Sequence, residues 1–561
     1  MTRIRVPRWR LGLSLVAGLA LVGATAAGSL AAKTHKAAAG IKYGGVVTVE
    51  SNDQGPSPRN FNPFSPTAQL GTIGDIYEPL LMYNTVSDQV HPWLATKYVW
   101  SDGNKVLTFT LRQGVKWSDG QPFTAADVAY TFNLILKNPA IDTNGLSAHV
   151  TKVVQTGPYT VQLDFKSPDV PLLFYIGGDT PIVPEHIWSK IADPTKWLDP
   201  NPVGTGPFEL TSFTAANYLF KRNPDYWQAG KPYVSELLFK AYTVQAVESD
   251  LSEGKIAWAD AYSPTLQKTY VQWDPSQNHY WFPPEGEVAL WTNDQKPPFN
   301  NVWVRRAISY AINRKTVGAI GETGFESPAA ATGIILPNQK SWLDASVAKA
   351  YPYPYSPSEA IKMLANAGYH LNSQHQMVNA KGQQLTFTMD VVAGYPDWIL
   401  DEKIMVQELQ AIGINASSQQ IAYNTYYANL TTGAYTMAMW FTGFGPTPYY
   451  TWEPVLDSVN YAPEGQAATN DFERWDNAPT TKLLDAYTAT SSTYQEHQII
   501  DQLEGVLAKD LPVIPLVYAA DWDEYRTNQF VGWPTPQDPY ANPAPGDQPF
   551  NEPVVLNIHE K

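Results

Sequence analysis

The chain has 561 residues, 44% hydrophobic and 13% aromatic (19 Trp, 32 Tyr, 20 Phe), with charged residues at only 16%, against about 25% in ordinary globular chains. At roughly 150 residues per domain this length predicts three to four folding units with ample apolar material for their cores, which excludes global disorder. An excess of 53 Asp and Glu over 38 Lys and Arg leaves a net charge of −15 with no basic stripe beyond the N-terminus, which opposes nucleic-acid binding, and the absence of cysteine excludes disulfides, thiolate catalysis and Cys-ligated metals.

Arg3, Arg5, Arg8 and Arg10 precede the apolar stretch Leu11 to Val22 and the small-residue segment Gly23 to Ala32, in which Ala24-Thr25-Ala26 offers a cleavage site. This pattern predicts a secretory signal peptide over residues 1–32, with an uncleaved anchor as the alternative, and places the mature protein outside the cytoplasmic membrane. Neither a P-loop nor a Gly-x-Gly-x-x-Gly turn opens any helix, which argues against ATP and NAD chemistry.

After a linker, Lys33 to Gly40, the sequence predicts a strand at Val46–Glu50 and then a long Pro- and Asn-rich loop from Asn52 to Pro66. Strands follow at Val106–Leu111, Thr160–Phe165, Leu219–Lys221 and Val234–Tyr242. Thr124, with Asp127 three residues later, marks a capped helix start. Further helices are predicted at Val302–Ala311, with Arg305 and Arg306 facing outward, at Pro357–Ala367 before Gly368, and at Ile399–Ala411 before Gly413. Helices and strands mix without a regular βαβ rhythm or fixed repeat, which predicts an α/β protein of several lobes.

The segment Leu111-Arg112-Gln113-Gly114-Val115-Lys116-Trp117-Ser118-Asp119-Gly120-Gln121-Pro122-Phe123-Thr124-Ala125-Ala126-Asp127-Val128 closely resembles a signature of bacterial solute-binding proteins of family 5, the oligopeptide, dipeptide and nickel-binding group of ABC importers. Further segments match in the family's order: Ile182 to Trp188, Pro202 to Phe208, Asn223 to Trp227, Pro298 to Arg314 and Ala360 to Tyr369. The resemblance implies an α/β fold of the periplasmic-binding-protein type II, cluster C. It implies a discontinuous lobe I (33–80, 203–287 and 516–561), an inserted lobe II (81–202) and a lobe III (288–515). A hinge near Val288 to Thr292 and Val513 to Val517 would let lobes I and III enclose a ligand. The implied partners are a small oligomeric solute and the permease subunits of an ABC importer, with no nucleic acid; the protein is expected to be a monomer with no cofactor, no metal and no catalytic residue.

Met439 to Trp452 packs six aromatic residues and two Gly into fourteen positions. Gly and Pro can hold such a loop so that flat rings face a cleft, and not all of these rings are expected to be core. Trp440, Phe441, Thr442, Gly443, Phe444 and Tyr449 are therefore candidate ligand contacts, joined by Asn62 and Phe64 in the early loop and by Asn293. Tyr395, Trp398 and Trp522 read as wall. In the family, peptide binders resemble one another in placing an Asp three residues after the Trp, where it pairs with the peptide ammonium. Here that position is Gly443, which leaves space and removes the countercharge. An uncharged oligosaccharide is the expected ligand, with an oligopeptide as the alternative if Glu285, Glu287 or Glu453 replaces the Asp.

A secreted glycoside hydrolase is the reading from a different class, since such an enzyme needs two carboxylates about 5 or 6.5–9.5 Å apart. Glu285 with Glu287, and Asp521 with Asp523, are available, yet nothing selects either pair. There is no Gly-x-Ser-x-Gly elbow and no His-Glu-x-x-His. His370 and His375 read as a surface pair rather than a site for a nickel chelate.

Overall fold

The computed structural model describes residues 40–51, 58–242 and 244–561. The expected signal peptide, the linker up to residue 39 and positions 52–57 of the early loop lie outside the described residues. The chain divides into two compact units. One comprises the described residues as far as Pro283, with Thr488–Thr493 and Asp521–Lys561; the other comprises Pro284–Tyr487 and Tyr494–Ala520.

In the first unit, Val46–Glu50 lies inside a seven-stranded mixed sheet. Its Val47 and Val49 are fully buried, as alternating β-branched residues on a half-covered strand should be. It runs parallel to Glu236–Lys240 on one side and pairs with Trp258 on the other. Asn217–Arg222 and Phe208–Thr214 extend the sheet beyond Glu236–Lys240, while Glu524–Arg526 and Asn278–Tyr280 extend it beyond Trp258–Ala259. The strand expected over Val234–Tyr242 is shorter than its apolar run, Glu236–Lys240.

A second sheet in this unit has four antiparallel strands, with Val106–Leu111 and Thr160–Phe165 at its centre. Leu107, Phe109 and Leu111 point inward with Val161, Leu163 and Phe165, the period of two that one buried face imposes. The helix Ala125–Lys137 begins with the predicted cap: Asp127 accepts the Thr124 N–H at 2.9 Å and Thr124 Oγ1 accepts the Ala126 N–H at 3.2 Å. Its face of Val128, Phe132 and Ile135 is buried. This sheet and helix occupy the 81–202 segment expected as an inserted lobe, and they belong to the same compact unit as the seven-stranded sheet.

The other unit is built on a five-stranded sheet ordered Asn415–Ile421, Thr386–Val392, Met437–Phe441, Pro284–Thr292, Val513–Ala520. The stretches expected as a hinge are two adjacent buried strands at one end of this sheet, with Val513–Ala520 outermost. Val288 stands opposite Val517 and Trp291 opposite Val513, because their near-continuous apolar sequence is covered on both faces. The chain passes between the units at Pro283–Pro284 and Ala520–Asp521 and again around 488–493.

Helices Val302–Ala311, Pro357–Asn366 and Pro396–Ala411 lie in this unit. The last starts three residues before the expected Ile399, with Pro396 at its first position. Beyond its end Gly413 takes φ +85°, a left-handed conformation that glycine accepts without strain. Arg305 is not on the solvent face as helical spacing implied; it is 5% exposed. Its guanidinium donates to the main-chain oxygens of Phe299, Asp510 and Leu511 and pairs with Asp294 at 3.3 Å. The free carbonyls at the end of helix Thr493–Asp510 draw it inward.

Candidate functional site

The aromatic segment begins in the central strand Met437–Phe441, whose backbone is held on both sides: Asp390 faces Ala438, and Ala289 faces Trp440. The strand's end is pinned where Thr442 N–H donates to the Glu287 oxygen at 3.0 Å. Trp440 is 5% exposed and sits at the middle of a ring cluster. Trp398 meets it edge-on at 6.2 Å and 80°, and Phe441 at 5.8 Å and 67°. Three tyrosines of helix Tyr423–Thr432 complete the cluster, with centroids at 6.4 Å for Tyr423, 5.9 Å for Tyr426 and 5.7 Å for Tyr427.

Tyr426 is buried and donates its hydroxyl to the Met439 oxygen, which ties the helix to the strand. Tyr423 and Tyr427 are half-buried, with ring planes 7° apart and centroids at 6.2 Å. They lie one turn apart on one helix face. The sequence reading omitted these tyrosines; the Tyr423, Tyr426, Tyr427 spacing was the available signal. Asp390 and Glu402 are buried acids close to Tyr426, and burial pushes their carboxyls up to about 6 and about 7. The cluster thus offers flat apolar faces, phenol groups and weakly charged acids.

Beyond the strand the segment turns back on itself. A Cβ placed on Gly443 would lie 1.9 Å from the Tyr450 oxygen, so the expected space at this position is filled by the backbone of helix Pro448–Leu456. Four of the segment's six rings, Trp440, Tyr449, Tyr450 and Trp452, are buried, two of them among the expected contacts. Tyr449 is 2% exposed and stacks on Tyr487 at 4.7 Å and 17°, Tyr450 is 4% exposed, and Trp452 donates to the Gly333 oxygen at 3.2 Å. Helix packing turns this stretch inward, because its rings fall on more than one side of a short helix buried nearly all round. Phe441 and Thr442 are half-buried, and Phe444, at 36%, is the exposed ring of the segment.

Asn293 is fully buried and donates to the Gly433 oxygen at 3.0 Å and to Glu464 at 2.7 Å. Asn62 and Phe64 lie in the other unit. The Asn62 amide donates to the oxygens of Pro194 and Trp197 and accepts the Phe64 N–H, while Phe64 packs edge-on against Trp188 at 5.4 Å. The Asn62 and Asn293 amides hold loops together, while Phe64 and Tyr449 are packed on neighbouring rings. Trp440, Phe441, Thr442, Gly443 and Phe444 remain together at one strand end, where Tyr423 and Tyr427 join them. Trp398 and Tyr395 are wall, packed on each other at 5.4 Å. His370 and His375 are exposed on a short hairpin.

Residues 89–462 match the bacterial extracellular solute-binding proteins, family 5, middle region. The chain belongs to this family. Its members are binding proteins rather than enzymes, and the fold is the α/β periplasmic-binding-protein type II. A glutathione-binding protein of Salmonella paratyphi A is 25% identical over 535 residues, covering 92% of this chain and 94% of the relative. The dipeptide-binding protein of Escherichia coli K12 is 24% identical over 538 residues, at 91% and 94% coverage. A periplasmic oligopeptide-binding protein of Thermotoga maritima superposes with TM-score 0.83 at 26% identity, covering 92% of this chain and 99% of that one. A mannohexaose-bound structure of that Thermotoga protein gives TM-score 0.73 at 25% identity, covering 92% and 98%. As a family-5 solute-binding protein, this chain has a scaffold, not a reaction centre, to explain. Among the described residues no helix is long and apolar enough to cross a membrane.

Proposed function

We propose that this family-5 protein is the extracytoplasmic receptor of an ABC importer for an uncharged oligosaccharide, which it captures with the rings around Trp440 and passes to the permease. The observation that carries this reading is position 443. The resemblance to peptide binders implies an Asp at this position to pair with the ammonium, whereas this chain has a glycine against which the Tyr450 backbone closes and leaves no room for such a side chain. Two of the three acids that were alternatives, Glu287 and Glu453, fit a cation poorly. Glu287 is buried, with its carboxyl pushed up to about 8 by burial, and Glu453 is buried and accepts from Asn460 at 3.0 Å. The rings of Tyr423, Tyr427 and Phe444 suit stacking on sugar faces. The mannohexaose complex of the Thermotoga relative supports the same ligand class. Export by the 1–32 signal segment and action as a monomer belong to the proposal.

The second reading is an oligopeptide, favoured by the glutathione- and dipeptide-binding relatives. A thermal-shift screen of residues 33–561 decides between them, with mannohexaose and other β-linked oligosaccharides in one panel and peptides of two to eight residues in the other. A ligand at 100 times Kd stabilises by about 2.7 kcal/mol. Stabilisation by sugars alone supports the proposal; stabilisation by peptides alone overturns the ligand class and leaves the transport role.

A further inference from the structure

Two dozen Asp and Glu side chains are buried among the described residues, against four Arg and neither Lys nor His. An ionised carboxylate taken out of water requires a cation or several hydrogen bonds. The four guanidiniums do not supply this, because most of their donors go to main-chain oxygens. Arg474 donates to Asp471, Thr431 and Gln466 oxygens, Arg526 to those of Leu251 and Ser252, and Arg314 to those of Pro515 and Ser309. Arg305 with Asp294 is a direct buried guanidinium–carboxylate pair.

Two clusters make the protonation requirement explicit. In the first unit the Tyr226 hydroxyl lies 3.0 Å from Glu78 Oε1 and 3.0 Å from Glu552 Oε1. The same hydroxyl accepts from the Gln228 amide at 3.2 Å, and the Glu78 and Glu552 carboxyls also hydrogen-bond each other, which two ionised carboxylates cannot do, so at least one of the pair carries a proton. Trp227 donates to Glu78 at 2.8 Å, Trp93 donates to Glu552 at 3.1 Å, and the Thr205 hydroxyl faces Glu78. Buried Asp75 adds a third carboxyl beside Glu552. The facing cation, Arg112, stacks over Trp227 at 4.1 Å instead of contacting an acid. In the other unit, fully buried Glu473 has neither oxygen hydrogen-bonded, and Asp471, Asp294, Arg474 and Tyr435 surround it. Asp471 in turn faces Arg474, Asp294 and Asp476 and accepts the Trp475 N–H.

We infer that this protein is built for an acidic exterior, in which the Glu78–Glu552 pair shares a proton and Glu473 is held as a neutral acid, and that it loses stability as its surroundings approach neutrality. Burial supports this by pushing Glu78 up to about 7 and Asp471 up to about 9, with Glu473 and Glu552 well above the usual carboxylate range. The sign follows from proton linkage. Above about pH 4.5 the unfolded chain releases protons that the folded chain keeps, so stability falls as pH rises, until the folded groups ionise. A protein whose carboxylates are salt-bridged shows the opposite slope in the acid range.

The test is thermal unfolding of the full chain without ligand between pH 3.5 and 8 at constant ionic strength. The expected result is a Tm highest near pH 4–5 and lower by about 10 °C or more at pH 8. Glu552→Gln and Glu473→Gln, each fixing the neutral form, are expected to flatten that slope by about 3 °C or more, one in each unit, so either reads the effect if the other fails to fold. A wild-type Tm that is flat or rises from pH 4.5 to 7.5 overturns the inference, as do variants whose slopes parallel the wild type.

Discussion

Arg305 and Asp294 pair at 3.3 Å with both side chains buried, and the same guanidinium closes the end of helix Thr493–Asp510 through the Asp510 oxygen at 2.6 Å. One side chain thus joins a helix start, a helix end and a buried acid. Arg305→Met strands three carbonyls and the acid together, and is expected to cost about 3–5 kcal/mol. Adding Asp294→Asn should recover part of that loss. Urea unfolding of the two single variants and the double variant measures the coupling.

Gly443 is held by contact with Tyr450. Gly443→Ala is expected to cost about 3 kcal/mol, because the added carbon meets a backbone oxygen at 1.9 Å and cannot be relieved by a side-chain rotation. Gly443→Asp should lose at least as much and gain no peptide binding. A shift in urea midpoint at unchanged slope is the readout; an Asp variant of wild-type stability that binds dipeptides would contradict the packing.

Trp440 and Phe444 separate stability from binding. Trp440 is enclosed by five rings, so Trp440→Ala is expected to lower the ligand-free stability by about 3–5 kcal/mol and to abolish binding as well. Phe444, at 36% exposed, is the cleaner probe. Phe444→Ala should leave Tm within about 1 °C and raise Kd for the bound oligosaccharide about tenfold, measured by calorimetry.

The cap on helix Ala125–Lys137 predicts a smaller effect. Thr124→Ala removes the bond to the Ala126 N–H and is expected to cost about 1 kcal/mol, and Asp127→Asn should cost more, since Asp127 accepts the Thr124 N–H with one oxygen and the Glu185 N–H with the other, and an amide can accept only one of the two. Chemical denaturation resolves differences of this size.

What was legible in the sequence was local. Val46–Glu50, Val106–Leu111 and Thr160–Phe165 appear at their predicted bounds because period-two alternation and flanking turn residues are properties of the segment itself. Thr124 and Gly413 were legible for the same reason. The errors concern partners distant in sequence. Arg305 points inward because of carbonyls some 200 residues later, and Tyr449 is core because Tyr487 stacks on it. The crowding at Gly443 comes from a helix that doubles back onto its own strand. Tyr423 and Tyr427 went unnoticed because a pair of tyrosines on a short helix reads as surface until Trp440 is placed beside it.

The seven-stranded sheet sets the order in which this protein can form. Val46–Glu50, near the start of the chain, is flanked by strands from positions 236–240 and 258–259, and Glu524–Arg526, near the end, fits between Trp258–Ala259 and Asn278–Tyr280. No N-terminal fragment can complete that sheet, and a fragment lacking the last forty residues leaves Trp258–Ala259 as an open edge and Asn278–Tyr280 without its partner strand. Such high contact order makes this sheet slow and late to form, so it cannot close until nearly the whole chain has been made, whereas the four-stranded sheet at 95–165 needs no late strand.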